Sequence, residues 1–123
     1  FLPPDAAFKL ELKAIDSNHL QAQFIVAPGH YLYRERIKFE TALPAKLETT
    51  TLPAGEMKDD PTFGKQEVYH HDTAATIKLT DIENNLVSIN ATYQGCSEKG
   101  LCYAPIKKTF ALNMADTSSA STS

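Results

Sequence analysis

The 123-residue chain has only two cysteines, Cys96 and Cys102. With no second pair, a four-cysteine zinc site is excluded. Among its four histidines only His70 and His71 are adjacent, and neighbours on a strand point to opposite faces. No metal site is expected. No stretch approaches the roughly 18 apolar residues of a membrane span. No basic start leads into an apolar run, so no signal peptide is read. There is no Lys/Arg-rich run, and 12 basic residues face 15 acidic ones for a net charge of −3. That balance excludes a general nucleic-acid binder. The chain opens abruptly at Phe1 and closes on ADTSSASTS, which reads as an excised mature domain. Two cysteines at short spacing fit an oxidising compartment better than the cytosol.

What is present is strand pattern. AFKLELKAI (7–15) alternates, with Phe8, Leu10, Leu12 and Ala14 on one face and Lys9, Glu11 and Lys13 on the other. HLQAQFIVA (19–27) alternates through Leu20, Ala22, Phe24 and Val26. Between them, Asp16, Ser17 and Asn18 supply turn chemistry. APGHYLYRERIKFE (27–40) breaks at Pro-Gly and continues as a strand to Phe39. Further strands are read at 45–52, 67–80, 85–93 and 106–114. No long 3.6-residue period is seen. The length suits one domain, and about seven or eight short strands with regular turn signals make an all-β sandwich. It covers 1–114, and the small polar tail 115–123 reads as a flexible linker.

The segment PAGEMKDDPTFGKQ (53–66) reads as a long irregular loop with one aromatic, Phe63. Loops of this length in compact domains are uncommon and often functional. A solvated connection is the plain alternative.

The two cysteines bracket the loop SEKGL (97–101). As a staple, the pair closes a short loop worth about 2–2.5 kcal/mol in the chain-entropy model. A bridge between sheets would stabilise more. As a redox pair, a tight polar loop containing Gly100 presents sulfur at the surface, where a thiolate does the chemistry. Lys99 in the loop can favour a thiolate or simply be solvated. Residues alone leave both readings open. Tyr31 and Tyr33 share one strand face, as core-edge packing or as a site wall. His70, His71 and Asp72 suggest acid–base work, but no nucleophile motif accompanies them.

Tyr93-Gln94-Gly95-Cys96 followed by Gly100-Leu101-Cys102-Tyr103-Ala104-Pro105 resembles the cysteine motif of the N-terminal periplasmic domain of DsbD, the thiol:disulfide interchange protein. His30-Tyr31-Leu32-Tyr33-Arg34 and Asp60 through Tyr69, DPTFGKQEVY, resemble two further segments of that domain, in the same order. The resemblance implies an immunoglobulin-like β-sandwich with a redox-active cysteine loop and a cap loop around 57–64. It implies a disulfide reductase on the periplasmic face of the Gram-negative inner membrane. A thioredoxin-like C-terminal domain of the same protein would supply electrons. Periplasmic disulfide isomerases and the thioredoxin-like protein of cytochrome c maturation would accept them. The tail would lead to a membrane domain.

By position, Cys102 would form mixed disulfides and Cys96 would resolve them, with no cofactor. Tyr31 and Tyr33 would line the site, Asp60 would assist proton transfer, and Phe63 would be the cap aromatic. The segment departs from the family pattern at Thr62, which holds a position of a second aromatic, and at Pro61, which replaces an acid. A lid that opens more readily is the expected consequence. The domain is expected to be a monomer. The contrasting reading is a non-catalytic immunoglobulin-like binding module with a structural disulfide. A chaperone-like adaptor using an open sheet edge is the third.

Overall fold

The computed structural model describes residues 2–116. Most of the predicted tail, 117–123, lies outside the described residues. Among the described residues a single α-helical turn, Pro4–Ala7, precedes eleven strands. They are β1 (Phe8–Ala14), β2 (His19–Val26), β3 (His30–Tyr33), β4 (Lys38–Thr41), β5 (Lys46–Thr51), β6 (Glu56–Asp60), β7 (Gly64–Tyr69), β8 (Thr73–Thr80), β9 (Leu86–Tyr93), β10 (Gly95–Ser97) and β11 (Ile106–Asn113). They form three antiparallel sheets, ordered β1-β2-β8-β5, β10-β3-β7-β6 and β11-β9-β4.

The first and third sheets face each other across the main core. Alternation along β2 buries Leu20, Ala22, Phe24 and Val26, as a half-buried strand requires. Phe24 meets Phe39 of β4 at 6.1 Å and Tyr93 of β9 at 5.4 Å between ring centroids. This is the sandwich the sequence pattern predicts.

The second sheet carries the site. A turn at Ala27–His30 starts it: Pro28 presets the first central position, Gly29 takes φ +79°, and His30 N–H closes on Ala27 O at 3.1 Å. All four residues of β3 are buried. Leu32 joins the main core, while Tyr31 and Tyr33 form a second cluster with Val68 and Cys96.

Two expectations are corrected. The strand read through 27–40 is interrupted by a 3-10 turn, Arg34–Arg36, and resumes as β4 in another sheet. The segment 53–66 is not an irregular loop: β6 pairs with β7 in register from Glu56↔Val68 to Asp60↔Gly64. β6 is EMKDD, a charged edge strand exposed over most of its length and buried only at Asp60, without alternation. Backbone pairing holds such a strand, so composition does not announce it. Its three-residue tip, Pro61-Thr62-Phe63, ends on Gly64 at φ +79°, the left-handed residue such hairpins use.

Candidate functional site

β10 brings Cys96 beside Tyr31, its partner in the β3 register. Gly95 allows this approach. A Cβ there would lie 2.2 Å from Tyr31 O and 2.6 Å from Phe8 Cζ, so only glycine lets β10 close on β3. The chain then turns tightly. Ser97 N–H donates to Leu101 O at 2.7 Å and Gly100 N–H to Ser97 O at 3.0 Å, with Gly100 at φ +103°. The turn returns Cys102 opposite Cys96, and the two form a disulfide with Cα atoms 4.0 Å apart.

The two sulfurs have different surroundings. Cys96 is fully buried, whereas Cys102 is only partly covered. The Tyr33 hydroxyl lies 2.9 Å from Cys96 Sγ and 3.9 Å from Cys102 Sγ. Thr62 Oγ1, at the hairpin tip, is 3.8 Å from Cys102 Sγ.

Asp60 organises the cluster. Its Oδ2 accepts from the hydroxyls of Tyr31 (2.5 Å) and Tyr33 (2.7 Å). Its Oδ1 accepts from the N–H groups of Thr62 (2.7 Å) and Phe63 (2.9 Å). One carboxylate therefore fixes both the tyrosine pair and the hairpin tip. Burial alone would raise its pKa. The tyrosine hydroxyls and the two backbone N–H groups outweigh burial and hold it down at about 2. Tyr31 and Tyr33 are pushed well above the ordinary tyrosine range, first by burial and then by hydrogen bonding to that carboxylate.

Phe63 covers this cluster. Its ring meets Tyr33 edge-on at 5.3 Å, and the Arg36 guanidinium carbon lies 4.4 Å from its centroid. On the other flank Lys58 Nζ pairs with Glu98 of the cysteine loop at 2.8 Å and rests 4.9 Å from the Tyr31 ring centroid. The hydrogen bond from Lys58 lowers the Glu98 pKa. His70 bridges Glu56 (2.7 Å) and Glu98 (2.8 Å).

All six residues singled out from the sequence, Cys96, Cys102, Tyr31, Tyr33, Asp60 and Phe63, meet in this one cluster. The loop lysine, Lys99, is exposed at the turn; the cation that pairs into the loop is Lys58. His70 joins the loop through Glu98 rather than forming a unit with His71 and Asp72, since Asp72 Oδ1 accepts from Val26 N–H at 2.9 Å. Arg36, Lys58 and Glu98 escape the sequence reading, and Gln94 enters it only as part of the cysteine motif. Their roles come from pairings across strands and turns, and no local spacing signals them.

The family described as thiol:disulfide interchange protein DsbD, N-terminal, matches residues 1–114. Thiol:disulfide interchange protein DsbD 1 of Pseudomonas aeruginosa is 39% identical over 112 residues, covering 89% of this chain and 19% of that protein. The chain spans about a fifth of the length of the curated relatives it matches. The crystal structure of the Neisseria meningitidis DsbD N-terminal domain in the reduced form superposes with a TM-score of 0.84 at 34% identity, covering 92% of this chain and 90% of that one. The complex between the DsbD N-terminal and PilB N-terminal domains of N. meningitidis gives a TM-score of 0.77 at 33% identity, covering 90% and 86%. The fold is thus an immunoglobulin-like β-sandwich. A match that runs from residue 1 to residue 114 at this level of identity decides the family: the chain belongs to the N-terminal domains of the thiol:disulfide interchange protein DsbD.

Proposed function

We propose that this chain is a periplasmic protein-disulfide reductase domain, which takes electrons from a thioredoxin-like domain and hands them to partner proteins through Cys96 and Cys102. The observation that carries the reading is the asymmetry of the disulfide. One sulfur is fully buried against Tyr33, and the other lies partly covered beneath a hairpin tip. A staple needs no such difference. A relay needs one sulfur that partners reach and one that they do not.

The exchange follows from that asymmetry. A donor thiolate attacks Cys102 Sγ, a donor–Cys102 disulfide forms, and the Cys96–Cys102 bond breaks. Cys96 leaves with the electron pair and takes a proton. The donor's second thiolate then attacks its partner sulfur in the mixed disulfide and releases Cys102, which leaves with the electron pair and takes the second proton. Two electrons and two protons have entered this chain, and the donor has become a disulfide. Toward an acceptor the steps reverse: Cys102 attacks and Cys96 resolves.

Asp60 acts here as an ionised carboxylate. Held at about 2, it has no proton to give at neutral pH and is too weak a base to keep one, so its part is to accept the hydrogen bonds that orient Tyr31 and Tyr33. Its negative charge, one tyrosine hydroxyl away from Cys96, disfavours thiolates in the reduced state. Phe63 and Thr62 form the cap that a partner displaces to reach Cys102.

The relative in complex with the PilB N-terminal domain supports docking of a protein partner on this fold. The donor would be the thioredoxin-like C-terminal domain of the same protein. The acceptors would be periplasmic disulfide isomerases and the thioredoxin-like protein of cytochrome c maturation.

The test is the reduction potential of the pair, measured in glutathione buffers. Structural bridges lie below about −300 mV and labile ones above. A value above that, with reduction by a thioredoxin-like donor, is expected. A value below it, with no reduction by such a donor, would make the chain a binding module with a structural bridge.

A further inference from the structure

Phe63 is 37% exposed at a hairpin tip, yet its ring is held on two sides. Tyr33 packs against it nearly at right angles, 5.3 Å between ring centroids, and Arg36 lies 4.4 Å from its centroid. Arg36 is itself anchored. It ends the 3-10 turn that follows β3, and its Nη1 donates to Gln94 Oε1 at 3.1 Å. Gln94 connects β9 to β10, two residues before Cys96. Its Nε2 donates to O of Tyr103, the residue after Cys102, at 3.0 Å, and its own O accepts from Tyr33 N–H at 3.0 Å. The side-chain amide of Gln94 is therefore oriented from both ends. Arg36 links the frame of the cysteine loop to the Phe63 ring, which packs on Tyr33.

We propose that Arg36 is a positioning residue that clasps the cap: its guanidinium, oriented by Gln94, holds the Phe63 ring against Tyr33, which lies beside both sulfurs, and so sets how often the hairpin tip opens. A guanidinium suits this because it is flat. It lies flat on an aromatic face while donating in its own plane, whereas a lysine ammonium meets a ring only as a compact point charge. The residue does not touch the sulfurs and acts through Phe63 alone. The clasp explains how a tip with one aromatic and a threonine stays over the site. The proposal rests on the relay reading in one respect: a cap matters only if Cys102 is to be reached.

The experiment is the second-order rate of reduction of the Cys96–Cys102 disulfide in the 123-residue chain by dithiothreitol, which has no docking surface with which to displace the cap. For an exposed cation–π contact, Arg36→Ala is expected to raise that rate about two- to fivefold. Phe63→Ala is expected to raise it at least as much. Arg36→Ala added to Phe63→Ala is expected to change nothing further, because the arginine then has no ring to hold. An unchanged rate in Arg36→Ala, or an undiminished effect of that change in the Phe63→Ala background, would overturn the clasp. If Arg36→Ala does not fold, Arg36→Lys carries the test. Lysine keeps the charge but loses the flat stack on the ring and the fixed fork toward Gln94, so about a twofold gain is expected, and a wild-type rate refutes the proposal. The relay reading fails separately, through the absence of reduction by a thioredoxin-like donor, while the dithiothreitol rates still report the clasp.

Discussion

The Tyr33 hydroxyl oxygen lies 2.9 Å from Cys96 Sγ. The same hydroxyl gives its single proton to Asp60 Oδ2 at 2.7 Å, and a disulfide sulfur has no proton to offer in return. In the oxidised state the two atoms are thus neighbours without a hydrogen bond. Cutting the disulfide changes this. A Cys96 thiol can donate to the Tyr33 oxygen, and a Cys96 thiolate can draw the hydroxyl toward itself. Reduction therefore gains a bond that oxidation lacks.

Tyr33→Phe should remove that gain. A net hydrogen bond is worth about 0.5–1.5 kcal/mol, which is about 10–30 mV for a two-electron couple. The reduction potential of the variant is expected to be more negative by that amount in glutathione buffers. An unchanged potential would show that Tyr33 does not distinguish the two redox states.

The cysteines should differ in their variants. Cys102→Ser removes the sulfur that partners reach, so transfer from a thioredoxin-like donor is expected to be lost. Cys96→Ser removes the resolving sulfur and is expected to trap a mixed disulfide through Cys102, visible as a shifted band on a non-reducing gel. Trapping through Cys96 in Cys102→Ser instead would reverse the assignment.

Asp60 should make stability depend on acid. Its folded pKa, about 2, lies below the ordinary value of 3.8. The folded state therefore binds fewer protons than the unfolded chain in the interval between them. The stabilisation is fully present above about pH 4 and is lost as pH falls through the folded value of about 2. After allowance for solvent screening it amounts to about 1–2 kcal/mol. Asp60→Asn is expected to flatten denaturant midpoints measured from pH 5 to pH 2. A slope equal to the wild type would place the acid sensitivity elsewhere.

Gly95→Ala should be destabilising beyond an ordinary glycine change. The added carbon would stand 2.2 Å from Tyr31 O and 2.6 Å from Phe8 Cζ. Neither the backbone carbonyl in the β10–β3 pairing nor a ring buried in the main core can yield cheaply. Overpacking of this kind costs about 1–3 kcal/mol or more. Chemical denaturation should show a loss of that size, together with faster reduction of the disulfide as β10 shifts from β3.

Much of the molecule was legible beforehand because its signals are local. The alternations over 8–14 and 20–26 bury as read, apart from Leu10, which is only partly buried, since a strand repeats every two residues whatever it packs against. The Pro28-Gly29 turn was legible for the same reason. Other readings failed where the signal was not local. The 27–40 run looked like one strand because its composition stays β-rich. A 3-10 turn at Arg34–Arg36 sends its second half into a different sheet. The 56–60 strand was hidden because backbone pairing with 64–68, not side-chain pattern, makes it a strand.

The sequence by itself determined an all-β chain with one cysteine pair on a tight polar loop. Turn chemistry, period-two alternation and cysteine spacing are properties of neighbouring residues. Only the tertiary structure decided that Cys96 is buried and Cys102 partly covered, that Asp60 joins Tyr31 and Tyr33 to the hairpin tip, and that Arg36 reaches Phe63. Tyr33 stands 27 positions from Asp60 and 63 from Cys96 along the chain. Such contacts exist only once the sheets have paired, because burial and hydrogen-bond geometry belong to the packed chain and not to its local order.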